Sequence, residues 1–226
     1  MPGYLVLEDG TAFEGLWSGG STRAGEVVFN TSHSGYEEIA TDPSYFSQIV
    51  VMTAPMQGNY GVDKGVWESR QIYVRGFVCL QLRRGEGSLW KKRLKDFDVP
   101  SLEEVDTRSL TLKLREQGTP WGALVEAGSL ESARAIAWQK IQEQKSLAPD
   151  WVFACTRKAM EKRRGLRPDG PHIAVLDFGT KENILRELEK RSREVSIFPS
   201  RASVHEILQV QPEALLLSNG PGDLAS

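Results

Sequence analysis

The residues best suited to chemistry are in the stretch Leu215-Leu-Leu-Ser-Asn-Gly-Pro-Gly-Asp223. Two glycines around a proline let a backbone approach a ligand with no Cβ in the way. Their amide hydrogens can point at an oxygen that gains negative charge, which is the requirement of an oxyanion hole. A Gly-Pro-Gly turn alone is weak evidence; the same turn directly after a three-leucine strand is stronger. A thiol hydrolase would also need a nucleophile and a base. The cysteines are Cys79 and Cys155, and the histidines are His33, His172 and His205. Cys79 lies in an apolar stretch with no glycine elbow and reads as a small hydrophobe. Cys155 is flanked by Ala154 and Thr156, and no histidine pairs with a cysteine by motif. The nucleophile-plus-base arrangement is therefore absent from these residues. A phosphate loop is a poor reading of the turn, which lacks both the Gly-Lys-Ser/Thr ending and the G-x-G-x-x-G spacing.

The elements that must hold this turn follow one pattern. His172-Ile-Ala-Val-Leu-Asp177 is a continuous apolar run and reads as a strand covered on both faces. Phe178-Gly179-Thr180 turns the chain, and Lys181–Arg193 predicts a helix with Ile184, Leu185 and Leu188 on one face. Val195–Phe198 is the next strand. Ser203 and Glu206 have the spacing of a capping box and start a short helix through Leu208. Residues 214–218 read as another buried strand. Alternating strands and helices predict a parallel sheet with right-handed crossovers. In such sheets ligands bind at the carboxyl ends of the strands, where Gly220 and Gly222 stand.

The earlier part of the chain reads differently. Residues 4–7 predict a strand, Asp9-Gly10 a tight turn, and residues 11–13 the returning strand. The stretch from Gly25 to Gly61 holds two apolar runs, Val27–Phe29 and Ile49–Met52. Between them is a segment of small and polar residues that reads as loop, not helix. Residues 71–82 read as a strand pair or one long bent strand broken at Gly76. From Ser88, the apolar spacing through Leu89, Leu94 and Phe97 suits a short amphipathic helix. Asp106 is a plausible N-cap and Gly118 a C-cap of a second helix, whose arginines face water; residues 129–144 predict a third. Proline, glycine and mixed charge from Ala148 to Pro171 mark a boundary. The expected division is a first domain over 1–150, a linker over 151–170 and a second domain over 171–226.

With 40% hydrophobic and 26% charged residues, the chain has an ordinary globular composition and can bury a core. A net charge of −2 gives no basic excess to attract nucleic acid. No apolar run approaches the roughly 20 residues of a membrane span, and the N-terminus does not read as a signal peptide. Two distant cysteines do not make a secreted disulfide framework. The expected setting is the cytoplasm, with no membrane partner.

The wording of several segments is more particular than their composition. GEVVFNT, GY-E-I-TDPSY-QIV and P--GNYG in residues 25–61, and DTR-L-T--LRE-G in residues 106–118, resemble the amino-terminal domain of the small subunit of glutamine-dependent carbamoyl phosphate synthetase. DFG-K-NILREL followed by LLLSNGPGD resembles the opening of a class I glutamine amidotransferase domain. The resemblance spans nearly the whole chain and is weakest over the linker. It implies an α/β fold: a mixed β/α first domain, then the first β-α-β-α-β part of a doubly wound, flavodoxin-like amidotransferase domain.

It also implies a function, the release of ammonia from glutamine. A separate large subunit would use that ammonia, bicarbonate and ATP with Mg to make carbamoyl phosphate for arginine and pyrimidine synthesis. The partners would be that subunit, in a heterodimer or higher oligomer, and L-glutamine. This chain itself would hold no cofactor or metal. Ser44 of DPSY, Gly220 and Gly222 match positions where the family contacts glutamine, with Ser44 at the amino-acid end. The family's cysteine sits in a G-x-C-x-G elbow well after the GPGD turn, so the nucleophile is expected beyond Ser226 and these residues alone are expected to be inactive. Leu224 stands where the family usually has proline. The rival reading is a scaffold that keeps the first domain without glutamine hydrolysis.

Overall fold

The computed structural model describes residues 2–83, 89–147 and 150–222. Ser88, the boundary residues Ala148 and Pro149, and Asp223, Leu224 and Ser226 lie outside that set. The chain forms two compact units. One comprises Met1–Thr41 and Ser47–Ala148; the other comprises Asp42–Phe46 and Pro149–Ser226.

The first unit runs β1 (Pro2–Leu7), β2 (Ala12–Gly19), β3 (Arg23–Asn30), α1 (Tyr36–Thr41), β4 (Gln48–Met52), β5 (Met56–Gln57) and β6 (Gly76–Val78). It continues with β7 (Gln81–Leu82), α2 (Leu89–Asp96), β8 (Ser101–Glu103), α3 (Thr107–Gln117), β9 (Trp121–Glu126) and α4 (Leu130–Ser146). Among the described residues, strands in the order β1-β2-β8-β6-β4-β3-β9 close a barrel, and β5 pairs with β7 apart from it. The period of two along a strand divides its side chains between two cores. Leu5 and Leu7 of β1 and Leu124 of β9 join one apolar cluster with Val27, Ile49 and Leu102. Their alternates Tyr4, Val6, Ala123 and Val125 meet Ala133, Ala137 and Ile141, an i, i+4, i+8 stripe on α4. α3 starts at the Asp106 cap, whose carboxylate accepts from the Ser109 amide at 3.0 Å, and ends where the Gly118 amide donates to the Leu114 carbonyl. Its Leu110 and Leu114 complete the first cluster.

Two expectations change. The polar segment between β3 and β4 contains the short helix α1, because Tyr36, Ile39 and Ala40 are buried and packing overrides the loop-forming composition. Residues 71–75 lie outside strands: the Tyr73 amide donates to the Ala40 carbonyl of α1 at 2.8 Å rather than to a neighbouring strand. Glu37 of α1 is buried and accepts from Trp67 Nε1 at 2.7 Å and from the Asp63 amide at 3.0 Å. Glu37→Ala orphans both donors and is expected to lower stability by about 2–3 kcal/mol. A denaturant titration with an unchanged midpoint would show that the 60–67 segment does not depend on this anchor.

The second unit runs α5 (Trp151–Cys155), β10 (Glu161–Arg164), β11 (His172–Asp177), α6 (Glu182–Glu189), β12 (Glu194–Pro199), α7 (Val204–Gln209) and β13 (Ala214–Leu217). The sheet order is β10-β12-β11-β13. β11 is parallel to both neighbours, with Val175 opposite Ile197 and Leu176 opposite Leu217. Leu185 of α6 packs with Val175, Val195 and Ile197, while Ile207 of α7 packs with Ala174 and Phe198. Adjacent residues of β11 thus serve opposite faces, each covered by a helix, as the doubly wound reading requires.

Residues 151–170, expected as a linker, contain α5 and β10, and β10 joins the sheet antiparallel to β12. Its sequence has no apolar face. Ion pairs hold it instead: Arg163 reaches Glu161 and Glu182 at 2.8 Å and Glu189 at 3.2 Å. α6 stops at Glu189, earlier than expected. β13 is a sheet edge with Leu215 and Leu217 exposed, not a buried strand, because among the described residues it pairs only with β11. No described helix is long and apolar enough to cross a membrane.

Candidate functional site

β11 and β13 end side by side, and the turns that leave them are locked together. The Phe178 amide donates to Ser218 Oγ at 2.9 Å, the Ser218 amide to the Leu176 carbonyl at 3.2 Å, and Ser218 Oγ to the Asn219 carbonyl at 2.7 Å. Asp177 closes β11 and is almost fully buried. Its Oδ1 accepts from the amides of Gly179 and Thr180 at 2.9 and 2.7 Å, and its Oδ2 pairs with Arg157 at 3.0 Å. Burial opposes its charge, but the amides of Thr180, Arg157 and Gly179 and the Arg157 guanidinium hold its carboxyl below the usual carboxylate range.

The Gly-Pro-Gly turn follows immediately. At Gly220 a Cβ would lie 2.2 Å from the Phe178 carbonyl oxygen, so the close approach of the two turns excludes a side chain. Gly222 has φ +104, in the region that glycine occupies without penalty. Among the described residues neither amide has a hydrogen-bond acceptor.

The DPSY segment belongs to this unit although it lies far away in sequence. Asp42 caps the short turn Pro43–Tyr45: its Oδ1 accepts from the Ser44 amide at 2.9 Å. Its Oδ2 pairs with Lys181 Nζ at 2.7 Å, just ahead of α6. Asn219 Nδ2 donates to Ser44 Oγ at 2.8 Å. The fold therefore places Ser44 beside the turn that carries Gly220 and Gly222. A cavity of about 580 Å³ opens there, lined by Asp42, Ser44, Lys181, Ile184, Leu217 and Asn219.

Among the described residues no thiol or imidazole lines this cavity. Cys79 and Cys155 are buried, and burial pushes both thiols up, Cys155 to about 12. His172 is buried at the start of β11, with Nε2 2.9 Å from Ser196 Oγ. His205 is exposed beside Gln209, and His33 is exposed. Among the described residues no group of three or more His, Cys, Asp or Glu is placed to hold a metal ion.

Residues 5–124 match the family model of the carbamoyl-phosphate synthase small chain, CPSase domain. The chain belongs to the carbamoyl-phosphate synthase small chain family. Residues 174–226 match the model of class-I glutamine amidotransferases. Carbamoyl phosphate synthase small chains from Symbiobacterium thermophilum and Methanopyrus kandleri are 41% and 40% identical to it, over 96% and 99% of this chain. That of Clostridium acetobutylicum is 37% identical over 99% of the chain. The chain spans 61–63% of the length of these curated relatives.

The motifs point to Ser44, Gly220 and Gly222, and the structure brings Ser44 to the turn through residues the motifs do not point to. Asp42 carries a local signal, an Asx cap ahead of Pro43. Asn219 and Lys181 carry none, because their partners lie well over a hundred residues away.

Proposed function

We propose that the chain handles glutamine for a glutamine-hydrolysing carbamoyl phosphate synthase. In this reading it binds L-glutamine and, as part of the whole protein, passes ammonia to a large synthetase chain in the cytoplasm. That partner holds ATP and Mg and makes carbamoyl phosphate for arginine and pyrimidine synthesis. Ser44 receives the amino-acid end of glutamine, and the amides of Gly220 and Gly222 face the oxygen that becomes negative during attack on the side-chain amide. The observation that carries the reading is the Asn219–Ser44 hydrogen bond, which joins a motif of the small-chain family to the amidotransferase turn. The family matches do not favour a scaffold without glutamine chemistry. Mixed with the cognate large chain, the 226-residue chain is expected to co-elute with it on size exclusion. Separate elution at micromolar concentration would reject the partnership.

These residues alone are expected to release no glutamate from glutamine. Neither thiol has the lowered pKa or adjacent base that activates a nucleophilic cysteine. Glutamate release above background that disappears in Cys79→Ser or Cys155→Ser would show that one of these thiols does serve.

A further inference from the structure

We propose that Asn219 is a positioning residue that sets the Ser44 hydroxyl as a hydrogen-bond donor toward an anionic oxygen of the ligand; under the glutamine reading, on which this rests, that oxygen belongs to the α-carboxylate. A serine hydroxyl has one proton and two lone pairs. Asn219 Nδ2 donates to Ser44 Oγ at 2.8 Å and so occupies a lone pair, leaving the proton to point elsewhere. Among the described residues the Ser44 hydroxyl donates to no acceptor: the nearby Asp42 accepts the Ser44 amide through Oδ1 and pairs with Lys181 through Oδ2. The contact to Ser44 is also the one hydrogen bond of the Asn219 side chain among the described residues, since its Oδ1 is buried without a partner. Turned over, the amide would leave Nδ2 unmade in place of Oδ1, so one group goes unpartnered either way. What its orientation accomplishes is the presentation of Ser44. Both residues line the cavity beside the Asp42–Lys181 ion pair, so the Ser44 proton can meet a ligand oxygen there.

The test is a calorimetric titration of the 226-residue chain with L-glutamine and with L-glutaminamide, in which the carboxylate is replaced by a neutral amide. Asn219→Ala and Ser44→Ala are each expected to weaken glutamine binding about five- to tenfold, the range of a lost hydrogen bond. The double variant should be no weaker than Ser44→Ala, because residues acting through one contact are not additive. Glutaminamide binding should be weak in the wild type and insensitive to Asn219→Ala. Asn219→Asp keeps the shape but turns the donor into an acceptor that draws the Ser44 proton to itself. It should lose as much affinity as the alanine variant, and it carries the test if Asn219→Ala does not fold, as judged by thermal melting. Additive losses, or glutamine affinity unchanged in the Asn219 variants, overturn the positioning role while leaving the glutamine site standing. No binding of glutamine by the wild type removes the site from these 226 residues, and this role with it.

Discussion

Gly220→Ala is expected to abolish measurable glutamine binding and to lower the melting temperature of the second unit. The cause is a backbone collision, not a lost contact. An alanine Cβ would stand 2.2 Å from the Phe178 carbonyl oxygen and 3.0 Å from its carbonyl carbon. A flexible side chain could rotate away, but this carbonyl cannot. Phe178 is held by its amide to Ser218 Oγ, and the strands on either side are hydrogen-bonded in register from Ile173 to Leu217. Relief requires the exits of β11 and β13 to separate. Overpacking of this kind costs about 1–3 kcal/mol, and it displaces Asn219 together with the turn. Gly222→Ala makes a useful contrast. Among the described residues nothing lies within 4 Å of its added methyl, so the penalty they impose is confined to its φ of +104. It should reduce glutamine affinity with a smaller stability loss, of about 1–2 kcal/mol. Thermal melts paired with glutamine titrations separate the two. If Gly220→Ala melts with the wild type, the turn yields without strain and the close-approach argument fails.

The contrast also shows what kind of information local sequence carries. The capping box at Ser203 and Glu206 forms as the spacing predicts, because both partners lie within one helical turn. The apolar runs of β11 and β12 are strands for the same reason: their burial is written in consecutive residues. β10 is illegible because nothing apolar recommends Glu-Lys-Arg-Arg as a strand; Arg163 is held by the carboxylates of Glu182 and Glu189 on α6, 19 and 26 positions further along the chain. α1 was hidden differently. Tyr36, Ile39 and Ala40 have helical spacing, but the surrounding Ser, Gly, Asp and Pro residues outweighed it. At the site, the Gly-Pro-Gly turn could be read from its own residues, and Ser44 from a motif. That Ser44 meets Asn219, 175 positions away, depends on the packing of the whole unit.

Asp177→Ala is expected to destabilise the second unit by about 3–5 kcal/mol, the usual consequence of removing one partner from a buried ion pair. Arg157, with only 15% of its side chain exposed, would keep Glu161 and Glu182 but lose the carboxylate that faces it and its own backbone amide. The amides of Gly179 and Thr180 would lose their acceptor as well, in the turn that opposes Gly220. Amide exchange of β11 and β12, measured by NMR, should accelerate more than that of the barrel strands β1 and β9, because the units are stabilised by separate cores. Acid should reproduce part of this effect in the wild type. Burial works against the Asp177 charge, but the surrounding amides and Arg157 outweigh it and hold the folded pKa below the unfolded value of about 4. The stabilisation is therefore fully present above the unfolded value and is lost as pH falls through the lower folded one. Asp177→Asn keeps the shape without the titrating charge. The stability difference between wild type and Asp177→Asn should be large at neutral pH and shrink below about pH 4. A difference that stays constant across that range would mean that the carboxylate's charge contributes nothing, and that Asp177 acts only as a hydrogen-bond acceptor for the turn.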